Sequence, residues 1–75
     1  SDPYSVSSKA TLKQGSSGSE VAALQTRLNQ EMNADLSTDG KFGAKTKAVV
    51  IAYQKANGLS ADGVVGPKTR AAMGL

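Results

Sequence analysis

Residues Asp39-Gly40-Lys41-Phe42-Gly43-Ala44-Lys45-Thr46-Lys47-Ala48 recur 23 positions later as Asp62-Gly63-Val64-Val65-Gly66-Pro67-Lys68-Thr69-Arg70-Ala71. The two copies align without a gap, share six of ten residues and keep an apolar residue at the fourth position. So much identity at one fixed offset, in a chain of only 75 residues, indicates an internal duplication.

Each copy predicts the beginning of a helix. Asp-Gly is typical of a tight turn, the second Gly lets the backbone turn into the helix, and Thr lies in the first helical turn. The Asp carboxylate can accept hydrogen bonds from amides that have no partner at a helix start. Turn and cap chemistry alone therefore accounts for these residue types.

Upstream of the first copy, the sequence predicts one amphipathic helix. The order Ser17-Gly18-Ser19-Glu20 matches a capping box, in which the Ser hydroxyl and the Glu carboxylate each accept a backbone amide. An apolar stripe at spacings of three and four residues follows, and the helix should end near Glu31 or Met32. The stripe consists of Val21, Leu24, Leu28 and Met32.

The second helix should start around Ala44 and close at Asn57-Gly58-Leu59, with Gly58 in the left-handed conformation. Its core face should consist of Phe42, Thr46, Val49, Val50 and Tyr53. Ile51 lies off this face, so it should be either exposed or covered by a linker or a neighbouring domain.

The third helix should be short, with Pro67 at its first position and Gly74 at its end. One side of it should carry Val65, Thr69, Ala72 and Met73. Three helices without a convincing alternating strand predict an all-α fold, a small three-helix bundle with Asp-Gly turns at the helix entrances.

Composition divides the chain and limits its chemistry. Residues 1–11 contain four Ser, one Pro and only two sizeable apolar side chains, which predicts a linker before a single folded module over residues 12–75. The chain has no Cys and no His, so a disulfide, a thiolate metal site and the usual general base are all missing. We therefore expect a binding module without enzymatic activity, cofactor or metal.

Charge and hydropathy also restrict the partners. The net charge of +3 is spread as single Lys and Arg residues, whereas nucleic-acid binders usually cluster theirs, so nucleic acid is not an expected partner. No window approaches 18 apolar residues and the chain shows no signal-peptide pattern, so no membrane partner is expected.

The repeat belongs to a longer ordered pattern of three segments. They read Leu12-x-x-Gly15-x-x-Gly18-x-x-Val21-x-x-Leu24-Gln25-x-x-Leu28, then Asp39-Gly40-x-Phe42-Gly43-x-x-Thr46-x-x-Val49-x-x-Tyr53-Gln54-x-x-Asn57-Gly58-Leu59, then Asp62-Gly63-Val64-Val65-Gly66-Pro67-x-Thr69. This order resembles the peptidoglycan-binding domain of bacterial and phage cell-wall hydrolases. The chain departs from it at Tyr53, where Phe is common, and in the stretch 31–36, which lacks a frequent Gly-Tyr.

The resemblance implies a three-helix, non-catalytic module that binds peptidoglycan and is joined to an amidase, muramidase, transglycosylase or peptidase, as in an endolysin. Its partners would be the wall polymer and a tethered catalytic domain. It would act as a monomer outside the cytoplasm, in the periplasm or cell wall, or as part of a phage lysis protein.

The expected ligand site follows from the two helix beginnings, which we predict to lie side by side and to line one shallow groove. The residues predicted to contact ligand are Asp39, Gly40, Phe42, Thr46, Tyr53, Asp62, Gly63, Lys68, Thr69 and Arg70. Arg70 could pair with a carboxylate of the wall polymer. By contrast, Gln25 and Gln54 should bind the backbone of the loops.

Three alternative functions remain. The stretch 35–40 fits the opening of a calcium-binding EF-hand loop, but Thr46 stands where the loop needs a bidentate Glu. A helix-turn-helix DNA-binding module would fit three short helices, but the third helix has too few polar groups to read bases. A protein-interaction domain with the same fold is the third alternative.

Overall fold

The computed structural model describes residues 11–75 and contains three α-helices in that range, which confirms the all-α class. They are α1 (Ser19–Met32), α2 (Ala44–Ala56) and α3 (Pro67–Met73). Isolated antiparallel bridges join Leu12 to Val65 and Ser17 to Lys41. Apart from exposed Thr11, the linker predicted for residues 1–11 lies outside the described residues.

The apolar stripes of the three helices meet in one core, as the periodicity predicts. Its buried residues are Leu12, Val21, Leu24, Leu28, Phe42, Val50, Tyr53, Val65 and Met73. The prediction for α3 was wrong at Ala72, which is exposed, because the inward position on that helix is occupied by Arg70. Ile51 is half-buried beside Gly63, so the second Asp-Gly turn covers part of it.

The capping box predicted at the start of α1 was wrong. Gly18 occupies the N-cap position with φ 126°, and no side chain caps the helix there. The Gly18 N–H donates to the Gly40 carbonyl at 2.9 Å, and Ser17 pairs with Lys41. The residues before α1 are therefore held by the backbone of the first Asp-Gly turn.

The predicted closure of α2 is confirmed in detail. Gly58 has φ 70°, its N–H donates to the Lys55 carbonyl at 3.3 Å, and the Leu59 N–H donates to the Gln54 carbonyl at 2.8 Å. This pair of bonds satisfies carbonyls left open at the helix end and folds Leu59 back against the core.

Residues 12–18 connect the two duplicated turns. Leu12 exchanges two backbone hydrogen bonds with Val65, at 3.1 and 2.7 Å. Farther along, the Gly15 N–H donates to the Phe42 carbonyl at 2.9 Å, and the Phe42 N–H donates to the Ser16 carbonyl at 3.0 Å. The backbone of this segment thus fixes both turns relative to α1.

Candidate functional site

Buried Gln54 connects the second Asp-Gly turn to α3. Its Nε2 donates to the Val64 carbonyl at 2.9 Å, to Asp62 Oδ1 at 3.0 Å and to Thr69 Oγ1 at 3.2 Å, so two amide hydrogens serve three acceptors. Its Oε1 accepts the Gly63 N–H at 2.9 Å. We call these five residues the Gln54 network. One side chain thereby fixes the turn and the first helical turn after it.

Gln25 forms the same arrangement at the first Asp-Gly turn. Its Nε2 donates to the Lys41 carbonyl at 2.8 Å, to Thr46 Oγ1 at 3.2 Å and to Asp39 Oδ1 at 3.3 Å, while its Oε1 accepts the Gly40 N–H at 2.9 Å. We call these residues the Gln25 network. Both glutamines bind loop backbone, which confirms the prediction made for them, and the duplication extends to tertiary contacts.

The aspartates of the two turns are held as carboxylates. The Lys41 amide donates to Asp39 Oδ1 at 2.9 Å and, with Gln25, lowers the pKa of Asp39 below its ordinary value of 3.8. The Val64 amide and Gln54 lower the pKa of Asp62 from the same value. Both groups are therefore ionised at neutral pH, where they stabilise their turns.

A depression of about 580 Å³ opens in front of the Gln54 network, and we call it the second depression. Its lining consists of Gln54, Gly58, Leu59, Ser60, Asp62, Val64, Gly66, Pro67, Lys68 and Thr69. Apolar side chains, two hydroxyls, a carboxylate and an exposed ammonium group therefore surround one open space. This combination can bind a ligand that has both apolar and hydrogen-bonding groups.

A smaller depression of about 380 Å³, the first depression, lies in front of the Gln25 network. Its lining consists of Gln25, Leu36, Ser37, Asp39, Lys41, Gly43, Ala44, Lys45 and Thr46. Apart from Gln25, each of these residues lies 23 positions before a lining residue of the second depression. The duplication has therefore produced two surfaces with corresponding linings.

The lining residues that the predicted site lacks include Leu36, Ser37, Leu59 and Ser60. A signal for them exists, because Leu-Ser precedes each Asp-Gly by the same distance and continues the duplication upstream. Asn29 positions Leu36 by accepting its N–H at 2.8 Å and donating to its carbonyl at 3.0 Å.

Apart from Arg70, the predicted site residues fall into three groups in the structure. Asp39 and Thr46 line the first depression; Asp62, Lys68 and Thr69 line the second. Gly40 and Gly63 are buried, and their backbone amides donate to Gln25 and Gln54, respectively. Phe42 and Tyr53 lie in the core with 3% and 2% exposure, and burial raises the pKa of Tyr53.

Arg70 has a carboxylate partner within its own chain. It is 8% exposed, and its Nη2 donates to Glu20 Oε1 at 2.8 Å. Since residues 20 and 70 belong to α1 and α3, this ion pair joins the first helix to the last. The exposed cation near the start of α3 is instead Lys68.

The two helix beginnings do not share one depression, since neither lining contains residues of both repeats. The first lies at the beginning of α2, and the second includes Gln54 near the end of α2. Ten residues separate Ala44 from Gln54. At a helical rise of about 1.5 Å per residue, these two ends are about 15 Å apart.

Metal binding and membrane insertion are two further possibilities for residues 11–75. No group of three or more His, Cys, Asp or Glu side chains in this range is placed to hold a metal ion. Likewise, none of the helices described is long and apolar enough to cross a membrane.

Comparison with known proteins places this geometry in context. The family profile described as "Putative peptidoglycan binding domain" matches residues 17–73. The zinc D-Ala-D-Ala carboxypeptidase of Streptomyces albus G is 49% identical over 61 residues, which are 79% of this chain and 24% of the carboxypeptidase. The chain thus spans about a quarter of that relative.

Two crystal structures share the fold. The endolysin of Burkholderia phage AP3 superposes with a TM-score of 0.80 at 39% identity, covering 85% of this chain and 24% of the endolysin. The SleB N-terminal domain superposes with a TM-score of 0.82 at 33% identity, covering 85% of this chain and 88% of that domain. The same three-helix unit therefore occurs as one part of a larger protein and as a separately crystallised domain.

Proposed function

This chain belongs to the peptidoglycan-binding domain family, and we propose that its second depression binds peptidoglycan so that an attached wall-active domain is held on its substrate. The observation that carries this proposal is the lining of the depression. Leu59, Val64 and Pro67 supply apolar surface, Ser60 supplies a hydroxyl, and Lys68 supplies a cation. Peptidoglycan presents matching groups, namely acetamido groups, sugar hydroxyls and stem-peptide carboxylates.

Rigidity of the site supports the proposal. The Gln54 network fixes the turn and the start of α3 before any ligand arrives. A preorganised site loses less conformational entropy on binding than a mobile one. We assign direct ligand contacts to the exposed residues Ser60, Asp62 and Lys68. Thr69 is buried and accepts a hydrogen bond from Gln54, so it supports the site together with Gly63.

The module itself supplies binding, and the chemistry belongs to the attached domain. We propose that the chain is a monomeric part of an extracytoplasmic or phage-derived wall hydrolase, with neither nucleic acid nor membrane as its partner. Tethering then raises the local concentration of the catalytic domain near its substrate. The carboxypeptidase and the endolysin, each about four times the length of the matched region, support such an arrangement.

A pull-down with purified sacculi tests the proposal. We expect the wild-type chain to sediment with the sacculi, and Lys68→Glu to reduce the bound fraction several-fold because it reverses the charge at the rim. Lys55→Glu makes the same change at an exposed position of α2 outside both depressions, and should leave the bound fraction unchanged. Recovery of the folded wild-type chain only in the supernatant would contradict the proposal and favour a protein-interaction role.

A further inference from the structure

We infer that the first depression is a second peptidoglycan-binding site, so that one module contacts the wall polymer at two points. The inference rests on the proposed function of the second depression.

The linings of the two depressions correspond residue by residue at most positions. A Leu, a Ser, an Asp, a Lys and a Thr occupy the same positions of the two repeats, and each set surrounds an open depression. Both depressions are backed by a buried glutamine that makes the same four hydrogen bonds. Groups that can bind a wall fragment at one depression are therefore present, in the same arrangement, at the other.

The corresponding parts of the two linings differ at two positions, one of which changes the charge. Lys41 in the first depression corresponds to Val64 in the second, and Ala44 corresponds to Pro67. The first depression therefore has two ammonium groups, on Lys41 and Lys45, beside the single carboxylate of Asp39. This excess of positive charge fits a stem-peptide carboxylate, whereas the more apolar second depression fits the sugar face and acetamido methyl groups.

The two depressions are lined by separate sets of residues, with none in common. Two fragments can therefore bind at the same time. Once one depression has bound a polymer with repeating units, binding at the other depression is intramolecular. The overall affinity then rises without any new contact.

Amide chemical shifts in two-dimensional NMR distinguish the sites directly. The 75-residue chain is titrated with disaccharide-peptide fragments released from sacculi by a muramidase. We expect two groups of amides to shift, one within residues 36–46 and one within residues 59–69. Lys45→Glu should weaken binding at the first group at least about fivefold and leave the second unchanged; Lys68→Glu should do the reverse.

Retention on intact sacculi provides the second measurement. We expect each single variant to lower retention several-fold and the double variant to lower it by a larger factor than either, since avidity typically contributes about 10²–10⁴. Lys55→Glu is the matched control. Ser37→Trp fills the first depression without altering its charge or the Gln25 network, so it should reproduce the effect of Lys45→Glu.

The results separate the two proposals. Shifts confined to residues 59–69, together with wild-type retention of Lys45→Glu and Ser37→Trp, would show that the first depression does not bind the wall polymer. The proposed function of the second depression would then still stand. Failure of the folded wild-type chain to bind either fragments or sacculi would overturn both. Circular dichroism establishes that each variant is folded.

Discussion

At the scale of single residues, two glycines allow the cost of steric crowding to be distinguished from the cost of a left-handed backbone conformation. Gly40 and Gly58 have nearly the same φ, 76° and 70°. A methyl group on Gly40 would lie 2.9 Å from the Gly18 carbonyl oxygen, whereas one on Gly58 would meet nothing within 4 Å. The two positions therefore differ in crowding and hardly at all in conformation.

Alanine at these positions should have unequal effects. Gly58→Ala should lower the free energy of unfolding by about 1–2 kcal/mol, the cost of a left-handed residue with a side chain. Gly40→Ala should lower it by at least about 1 kcal/mol more, because the Gly18 backbone must move. Urea unfolding measures both losses of stability. Equal losses would show that the backbone at Gly18 can move at little cost.

The buried glutamines should matter more for stability than any exposed polar residue. Gln54→Leu keeps the volume but leaves the Gly63 amide and the Thr69 hydroxyl without their glutamine partner. We expect a loss of about 2–4 kcal/mol in the free energy of unfolding, since each unpaired buried group costs about 1–3 kcal/mol. Gln30→Leu, at an exposed position of α1, should change it by less than about 0.5 kcal/mol. A small effect at both positions would argue against the network.

The turn aspartates predict how stability depends on pH. Because folding lowers the pKa of Asp39 and Asp62 below 3.8, their contribution is fully present above that value. It is lost as the pH falls through the lower pKa values of the folded state. The melting temperature should therefore drop below about pH 4, and the double variant Asp39→Asn, Asp62→Asn should show a shallower drop. Asp35→Asn, exposed and outside both networks, is the control.

At the scale of elements, Arg70 and Lys68 should have different roles although they lie two residues apart on α3. Arg70→Ala removes a buried side chain and its ion pair with Glu20, and should lower the free energy of unfolding by about 2–3 kcal/mol. Lys68→Ala, at an exposed position, should change it by less than about 0.5 kcal/mol. Thermal unfolding monitored by circular dichroism tests this difference in stability. Equal losses in the two variants would contradict it.

The elements themselves follow from local sequence. Apolar stripes define the faces of α1 and α2, and Pro67, Gly58 and Gly74 mark helix boundaries at the observed positions. The capping of α1 does not follow from its own residues, since Ser17–Glu20 matches a side-chain capping box that the folded chain does not form. In the folded chain, the first Asp-Gly turn pairs with Ser17 and Gly18 instead. Tertiary pairing of this kind leaves no local signal.

At the scale of the whole molecule, the proposed binding to sacculi should depend on salt. Wall carboxylates would contact lysines at the exposed rims, where ions screen charge over about 10 Å at 0.1 M and about 3 Å at 1 M. Retention of the wild-type chain should therefore fall as salt increases. The double variant Lys45→Glu, Lys68→Glu should show a weaker dependence in the same sedimentation assay, and identical dependences would argue against lysine contacts.

The candidate site was only partly predictable. The duplication identified Asp62, Lys68 and Thr69 as a group, and all three line one depression. Sequence spacing could not reveal that Arg70 would turn toward Glu20, because these residues are 50 positions apart and meet only after α1 and α3 pack. Nor could it reveal two depressions instead of one groove, since each depression forms only after its turn binds a buried glutamine.

The sharing of α2 between the two glutamine networks limits where the chain can change length. Thr46 faces one network and Gln54 the other, so one residue inserted between them would rotate one partner by about 100° and break its contacts. Asp39 follows Gln25 by 14 positions, whereas Asp62 follows Gln54 by only eight. Both networks form, so the length of this connection can vary. Insertions and deletions among homologues should therefore concentrate between α1 and Leu36, while α2 keeps a constant length.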